Sequence, residues 1–487
     1  MTRDGDRSRA WLPFALLVAV MAARAVLAWR LAPGRDEVAY WAWAHLGEGY
    51  SPALTTTIRI ATNAFGDSAR AIRSPSVIAA AAAPFLLAAI IRARGASISI
   101  AGWTALALAA SLGGAWAGIV AHPDAWLLLA AAGFAATADA RRPGVGPAAS
   151  AALAALSKPV GGLLGFPAAW LAIRRFRSAP APSLLSLLIL AIGAVLVANR
   201  LDSETRRGLA ELGRFAPDVG LVGRFAWTAL ELVANAGPGL LYVAGVGAFR
   251  GRRDDVVRLT GLGWLAVFAA FLLAGQAKAN WFLPGLVLLA PAGADALGRA
   301  GRERRLAALT LASTGWLLAV GALIAEPGWS DRLRRWPALD RTYAIHVGPR
   351  EGAVSSARRW SERLREYDEL PARDARVTEA LERGAILGSG DYGLAFGLAW
   401  AYGRRATGSP PGVWLPTDPV FATGTGDLPL DAEVVWVEPR GARPPAAVVA
   451  AFREFRAAAA VPAEPGIEPG LEVFHGIGYR GSVASSP

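Results

Sequence analysis

Leu31-Ala-Pro-Gly-Arg-Asp36-Glu37-Val-Ala-Tyr40-Trp41-Ala-Trp43 follows the first long apolar run of the chain and sets two adjacent acids where that run ends. A carboxylate pair is costly to desolvate, so at the edge of an apolar segment it marks either a helix boundary or a reaction centre. The rest of the chain weighs those two readings. Its 487 residues are 54% hydrophobic, and apolar runs recur at about the 20-residue length that crosses a hydrocarbon core of roughly 30 Å. The chain reads as a polytopic α-helical membrane protein.

It has no cysteine, which excludes disulfides, Cys-ligated metal centres and thiol catalysis. The net charge of +12 does not point to nucleic acid. The basic residues stand in short clusters between apolar runs, where they set membrane orientation.

Those clusters order the spans. Arg3, Arg7 and Arg9 precede a run at about 11–31, and the run at about 74–92 ends at Arg92 and Arg94. Runs at about 98–119 and 123–140 form a hairpin ending at Arg141-Arg142. The stretch at about 146–173 has basic clusters at both ends, so it must cross an even number of times; it reads as two short helices broken near Ser157-Lys158-Pro159. Further spans at about 183–199, 226–249, 256–275, 280–298 and 305–325 give about eleven crossings, a cytoplasmic N-terminus and an external C-terminus. Asp36, Glu37, the segment 32–73, His122-Pro123-Asp124, Ser157-Lys158, the loop 200–225 and Gln276-Ala-Lys278-Ala-Asn280 then share the outer face. Ala22-Ala-Arg24-Ala25 has some character of a signal-peptide cleavage site, but the long run, Arg24 and the Trp29-Arg30 stop favour an uncleaved helix.

From about residue 326 long apolar runs stop and charge, Pro and Gly rise. The chain therefore divides into a transmembrane domain, 1–325, and a small external α/β domain, 326–487. Expected there are helices at 353–367, 391–402 (capped by Asp391) and 446–460, and strands at 385–388, 433–438 and 471–479. Ser389-Gly390 reads as an ordinary strand-to-helix turn rather than an anion site.

Several stretches together resemble the dolichyl-phosphate-mannose–protein mannosyltransferase-like superfamily, of the GT-C fold, which includes the bacterial lipid A aminoarabinose transferases. They are Asp36-Glu37 with Tyr40-Trp41, Gly49-Tyr50, Phe65-Gly66-Asp67-Ser68, Arg73-Ser-Pro75, His122-Pro123-Asp124, Leu156-Ser157-Lys158 and Lys278-Ala-Asn280-Trp281-Phe-Leu-Pro284. The Leu387–Tyr392 and Gly476–Gly481 stretches are similar to the external domain of bacterial members. Where those members commonly carry an Asp-His-Pro-Pro-Leu-like run, this chain has Ser51-Pro52-Ala53-Leu54.

The resemblance implies transfer of a sugar from a polyprenyl-phosphate donor to an acceptor hydroxyl of a lipid, glycan or protein, on the outer face of the plasma membrane. Asp36 is the candidate base for the acceptor proton, with Glu37 as a second acid or a loop-orienting one, and Asp124 as an assistant. Lys278, Lys158 and Arg59 are the candidate cations for the leaving phosphate. His45, His122 and Tyr40 are candidates for acceptor contact or loop orientation. A divalent metal held by His122 and Asp124 stays open.

Each residue has a plainer reading beside this one. Asp36-Glu37 can be a solvated helix end, Lys278 beside Trp281 an interfacial anchor, His122 a turn residue, and His45 among Trp41 and Trp43 a headgroup contact. A catalytically lapsed scaffold is a rival because the Asp-His run is missing. A secondary transporter is another, favoured only by the break near Pro159.

Overall fold

Proline, glycine and buried charge break the apolar runs of this chain at a few points. The computed structural model describes residues 3–31, 33–46, 51–138, 144–199, 220–274, 278–325, 375–390, 392–403, 413–415, 428–439, 442–461 and 471–480. Gly49-Tyr50, Gln276, Asp391, most of the loop 200–225 and the expected helix at 353–367 lie outside them.

The membrane region begins with α1 (Arg3–Arg30), the short α2 (Arg35–Leu46) and α3 (Pro52–Phe65), and α4 (Ala69–Ala93). Next come α5 (Ile98–Ala109), α6 (Leu112–Trp116), α7 (Pro123–Ala138), α8 (Gly146–Ser157), a 3-10 turn (Pro159–Leu164), α9 (Gly165–Arg175) and α10 (Pro180–Ala198). It closes with α11 (Leu221–Arg250), α12 (Val256–Leu273), a second 3-10 turn (Ala279–Phe282), α13 (Leu283–Arg299) and α14 (Glu303–Ala325). Among the described residues seven helices are long and apolar enough to cross a membrane, and the three helices at 98–109, 123–138 and 146–157 are shorter but apolar. The protein is a multi-pass membrane protein.

The stretch at 146–173 is broken at Lys158-Pro159, as its flanking charges require. The run at 98–119, expected as one span, is also broken. Ser111 starts the new helix α6, its hydroxyl accepting from Gly114 N at 3.1 Å. The carbonyls freed there are met by Arg24 of α1, whose Nη2 donates to Gly114 O at 2.6 Å and whose Nη1 donates to Ala109 O at 3.4 Å. A β-carbon on Gly118 would stand 1.9 Å from that Nη2 and 2.7 Å from Ala80 Cβ, so a side chain there would displace the guanidinium from this position. Between α11 and α13 small residues bring the backbones together: a β-carbon on Gly293 would lie 1.8 Å from Val243 O.

Two sets of polar contacts hold the ends of the bundle. At one end Arg94, at the C-terminus of α4, pairs with Asp255 before α12 at 2.7 Å, and Ser99 bonds Glu303. The other end carries the candidate site.

The C-terminal domain holds α15 (Ala375–Glu382), β1 (Ile386–Gly388), α16 (Tyr392–Gly403), β2 (Val413–Trp414), β3 (Glu433–Pro439), α17 (Ala446–Ala450), β4 (Phe452–Val461) and β5 (Leu471–Tyr479). Its mixed sheet has the order β2-β1-β3-β5-β4, with β1 parallel to β2 and β3, and β5 antiparallel to β3 and β4. The helix expected over 446–460 stops at Ala450. Alanine-rich sequence favours helix locally, but Phe452 and Phe455 pack against Tyr479 and Phe474 of the neighbouring strand, and that packing wins. At the turn after β1, Glu438 of β3 accepts from Gly390 N at 3.1 Å, so the chain's own carboxylate lies at the start of α16.

Candidate functional site

Helix ends explain where the charges sit. Asp36 and Glu37 occupy the first turn of α2 and Asp124 the first turn of α7, where the positive end of the helix dipole favours a carboxylate. Lys158 follows the last residue of α8, at the negative end.

Glu37 is 2% exposed and fully engaged. Its Oε2 accepts from Gly34 N at 2.7 Å and Arg73 Nη2 at 2.6 Å; its Oε1 accepts from Arg73 Nε and Ala121 N, both at 2.7 Å. Arg73 is 0% exposed and also donates to Ala28 O at 2.6 Å. One ion pair thus ties the end of α1, the start of α2, the first turns of α4 and the turn before α7. Asp36, next in sequence, is exposed.

Ala121 leads directly to His122 and Asp124, which form the second knot. Asp124 Oδ1 accepts from Lys158 Nζ at 2.8 Å, and its Oδ2 accepts from Asn280 Nδ2 at 2.7 Å. His122 N donates to Ser76 Oγ at 3.2 Å, and Asp124 N donates to His122 Nδ1 at 3.2 Å. Burial holds the His122 imidazole below its usual value; Asp124 and Asp36 pull against that shift, Lys158 and Lys278 with it. A neutral ring suits an Nδ1 that accepts from the backbone. Asp36 adjoins Glu37, which accepts from Ala121 N next to His122, and Lys278 stands two residues before Asn280, which bonds Asp124. Lys278 is exposed at the head of the second 3-10 turn, whose Trp281 carbonyl accepts from Trp264 Nε1 at 2.7 Å.

Motifs separated by up to 244 positions therefore meet at one end of the bundle: Asp36 and Glu37, His122 and Asp124, Lys158, and Lys278 with Asn280. Ser51 joins them from the segment where the Asp-His run is missing. Its hydroxyl donates to Ser157 O at 2.6 Å, beside Lys158.

The other candidates are held as follows. Tyr40 is buried, 5.7 Å from the Trp43 ring, inside the core between α2 and the C-terminal domain. His45 Nδ1 lies 2.9 Å from Trp41 O and its Nε2 3.5 Å from Asp67 Oδ1, which also accepts from Trp41 Nε1 at 2.8 Å. Arg59 is exposed on α3. Among the described residues no three histidines or acids converge as a metal ligand set. Arg73 stood in the sequence only as part of an Arg-Ser-Pro motif. An arginine at the very head of a long apolar run was the available sign that it had a buried partner.

Helical bundle, helix breaks and an appended mixed sheet define the class: a polytopic α-helical membrane protein with a C-terminal mixed-sheet domain. The fold is similar to that of ArnT from Cupriavidus metallidurans. Its apo structure superposes with a TM-score of 0.56 at 14% sequence identity, over 96% of this chain and 98% of that one. Its structure bound to undecaprenyl phosphate gives a TM-score of 0.53 at 14% identity, over 98% and 99%. No family model matches the chain, and no curated protein does.

Proposed function

We propose that this protein is a membrane glycosyltransferase that moves a sugar from a polyprenyl-phosphate donor to an acceptor hydroxyl on the outer face of the plasma membrane. The observation that carries the reading is the meeting of an exposed Asp36, an exposed Lys278 and the Asp124–Lys158–Asn280 knot at one end of the bundle. The shared fold with a protein crystallised with undecaprenyl phosphate supports it.

The chemistry suits these groups. The acceptor oxygen forms a bond to the anomeric carbon as the bond from that carbon to the phosphate oxygen breaks, the electron pair leaving on the phosphate. Asp36 takes the acceptor proton; a positioned carboxylate of this kind contributes roughly 10²-fold or more. Lys278 faces the charge that grows on the leaving phosphate. Lys158, bonded to Asp124, shapes the site and adds positive potential, and Lys278, at the exposed head of the second 3-10 turn, makes the phosphate contact. Glu37, with both oxygens occupied, fixes the direction of Asp36. Arg59, Tyr40 and His45 serve the setting of the first loop and its surface.

The test is purified protein in lipid nanodiscs with a polyprenyl-phosphate sugar and a membrane extract as acceptor source. Release of polyprenyl phosphate that requires both the extract and Asp36 supports the reading. Release that is absent, or indifferent to Asp36→Asn, removes it.

A further inference from the structure

Helix α16 is apolar on every side: Leu394, Ala395, Phe396, Leu398, Ala399 and Trp400 are each at most 5% exposed. A helix with no polar face must be covered on both sides. One side lies on the sheet, against Leu387 of β1 and Val435 and Val437 of β3; the other lies on α2. There the Trp400 ring meets Trp41 edge to face, with centroids 5.0 Å apart at 88°, and Phe396 meets Trp43 at 6.2 Å and 70°. Trp41 is 0% exposed.

Only twelve residues long, α2 is too short to hold a helix by its own propensity. Its first turn is fixed by Glu37, and Trp41, one turn further on, is fixed by Asp67 and Trp400. Asp36 lies on the same rigid element, so its direction is set from both ends.

We infer that α16 of the C-terminal domain is the clamp that positions α2, and that Trp400 is a positioning residue for Asp36. The domain is then part of the reaction centre's framework without contributing a reacting group. A displacement of about 1 Å at a reacting group can cost roughly 10²-fold, so loosening α2 lowers turnover while leaving phosphate recognition, which sits on other elements, in place. This rests on the glycosyltransferase reading for its functional half and on geometry alone for its structural half.

The experiment compares wild type, Trp400→Ala and Trp400→Phe as full chains in nanodiscs. Amide hydrogen exchange is followed in 36–46 and, as controls, in α4 and α7. Binding of undecaprenyl phosphate is measured by native mass spectrometry, and turnover by release of polyprenyl phosphate. Expected for Trp400→Ala is exchange in 36–46 faster by roughly tenfold or more, with unchanged control helices, unchanged undecaprenyl phosphate binding and a fall in turnover. Trp400→Phe, which keeps an aromatic edge, restores most of both. Unchanged exchange in 36–46, or exchange rising equally in α4 and α7, overturns the clamp. Wild type that neither binds undecaprenyl phosphate nor turns over removes the glycosyltransferase reading and the functional half with it, while the exchange data still decide whether α16 holds α2.

Discussion

Glu37 and Arg73 form a bidentate ion pair, at 2.6 and 2.7 Å, with side chains 2% and 0% exposed. Removing one partner leaves an uncompensated buried charge, which costs about 3–5 kcal/mol. Arg73→Leu and Glu37→Leu should each lower the unfolding midpoint sharply. The double substitution should cost less than the sum of the two, because no charge is then left alone. Asp36→Asn, at an exposed neighbouring position, should leave the midpoint within experimental scatter. Thermal unfolding of the four variants in detergent checks the set.

Asp124 accepts from Lys158 and Asn280 at once, so their contributions cannot be independent. A double-mutant cycle on Asp124→Asn and Lys158→Met should show a coupling of about 1–3 kcal/mol in unfolding free energy. Additive effects would mean that the knot is not a unit.

Lys278 is assigned the leaving phosphate, and a charge-assisted hydrogen bond of that kind is worth about 1.5–3 kcal/mol. Lys278→Ala should weaken undecaprenyl phosphate binding by about 10- to 100-fold. Lys278→Arg should keep part of it, retaining the charge with a different geometry. Equal binding by all three proteins would return Lys278 to the role of an interfacial anchor.

In the C-terminal domain burial tends to raise the Glu433 carboxyl, but hydrogen bonds from Arg383 at 3.0 Å and His475 at 2.6 Å outweigh it and hold the group below the usual carboxylate range. A carboxylate whose folded value is depressed adds stability that is fully present above the unfolded value of about 4.3 and is lost as pH falls through the folded one. Wild type should therefore lose stability on acidification below about pH 4.3 more steeply than Glu433→Gln. Unfolding midpoints measured from neutral pH to pH 3 decide it; parallel curves would refute the assignment.

Much of this was legible in the sequence because membrane helices declare themselves by length and apolarity. The break at Lys158-Pro159 followed from charge on both flanks of one apolar stretch. The grouping of Asp36, Asp124, Lys158 and Lys278 on one end followed from the same parity. What was hidden depended on partners distant in sequence. Arg24 looked like an interruption in a small-residue pattern, yet it caps carbonyls 85 and 90 positions away in the broken run after Ala109. Glu37 and Asp36 look alike in sequence; only Arg73, 36 positions on, separates a buried tether from an exposed acid. The residues after Ala450 have helical propensity, and only the strand they pair with makes them a strand.

The most direct measurement uses lipid extracts of a deletion strain complemented with wild type or Asp36→Asn at equal membrane abundance. The deletion should accumulate a polyprenyl-phosphate sugar, wild type should clear it, and Asp36→Asn should leave it in place. A deletion strain with no accumulated lipid-linked sugar, or an Asp36→Asn protein that clears it as wild type does, would contradict the assignment of Asp36 as the base of a polyprenyl-phosphate glycosyltransferase.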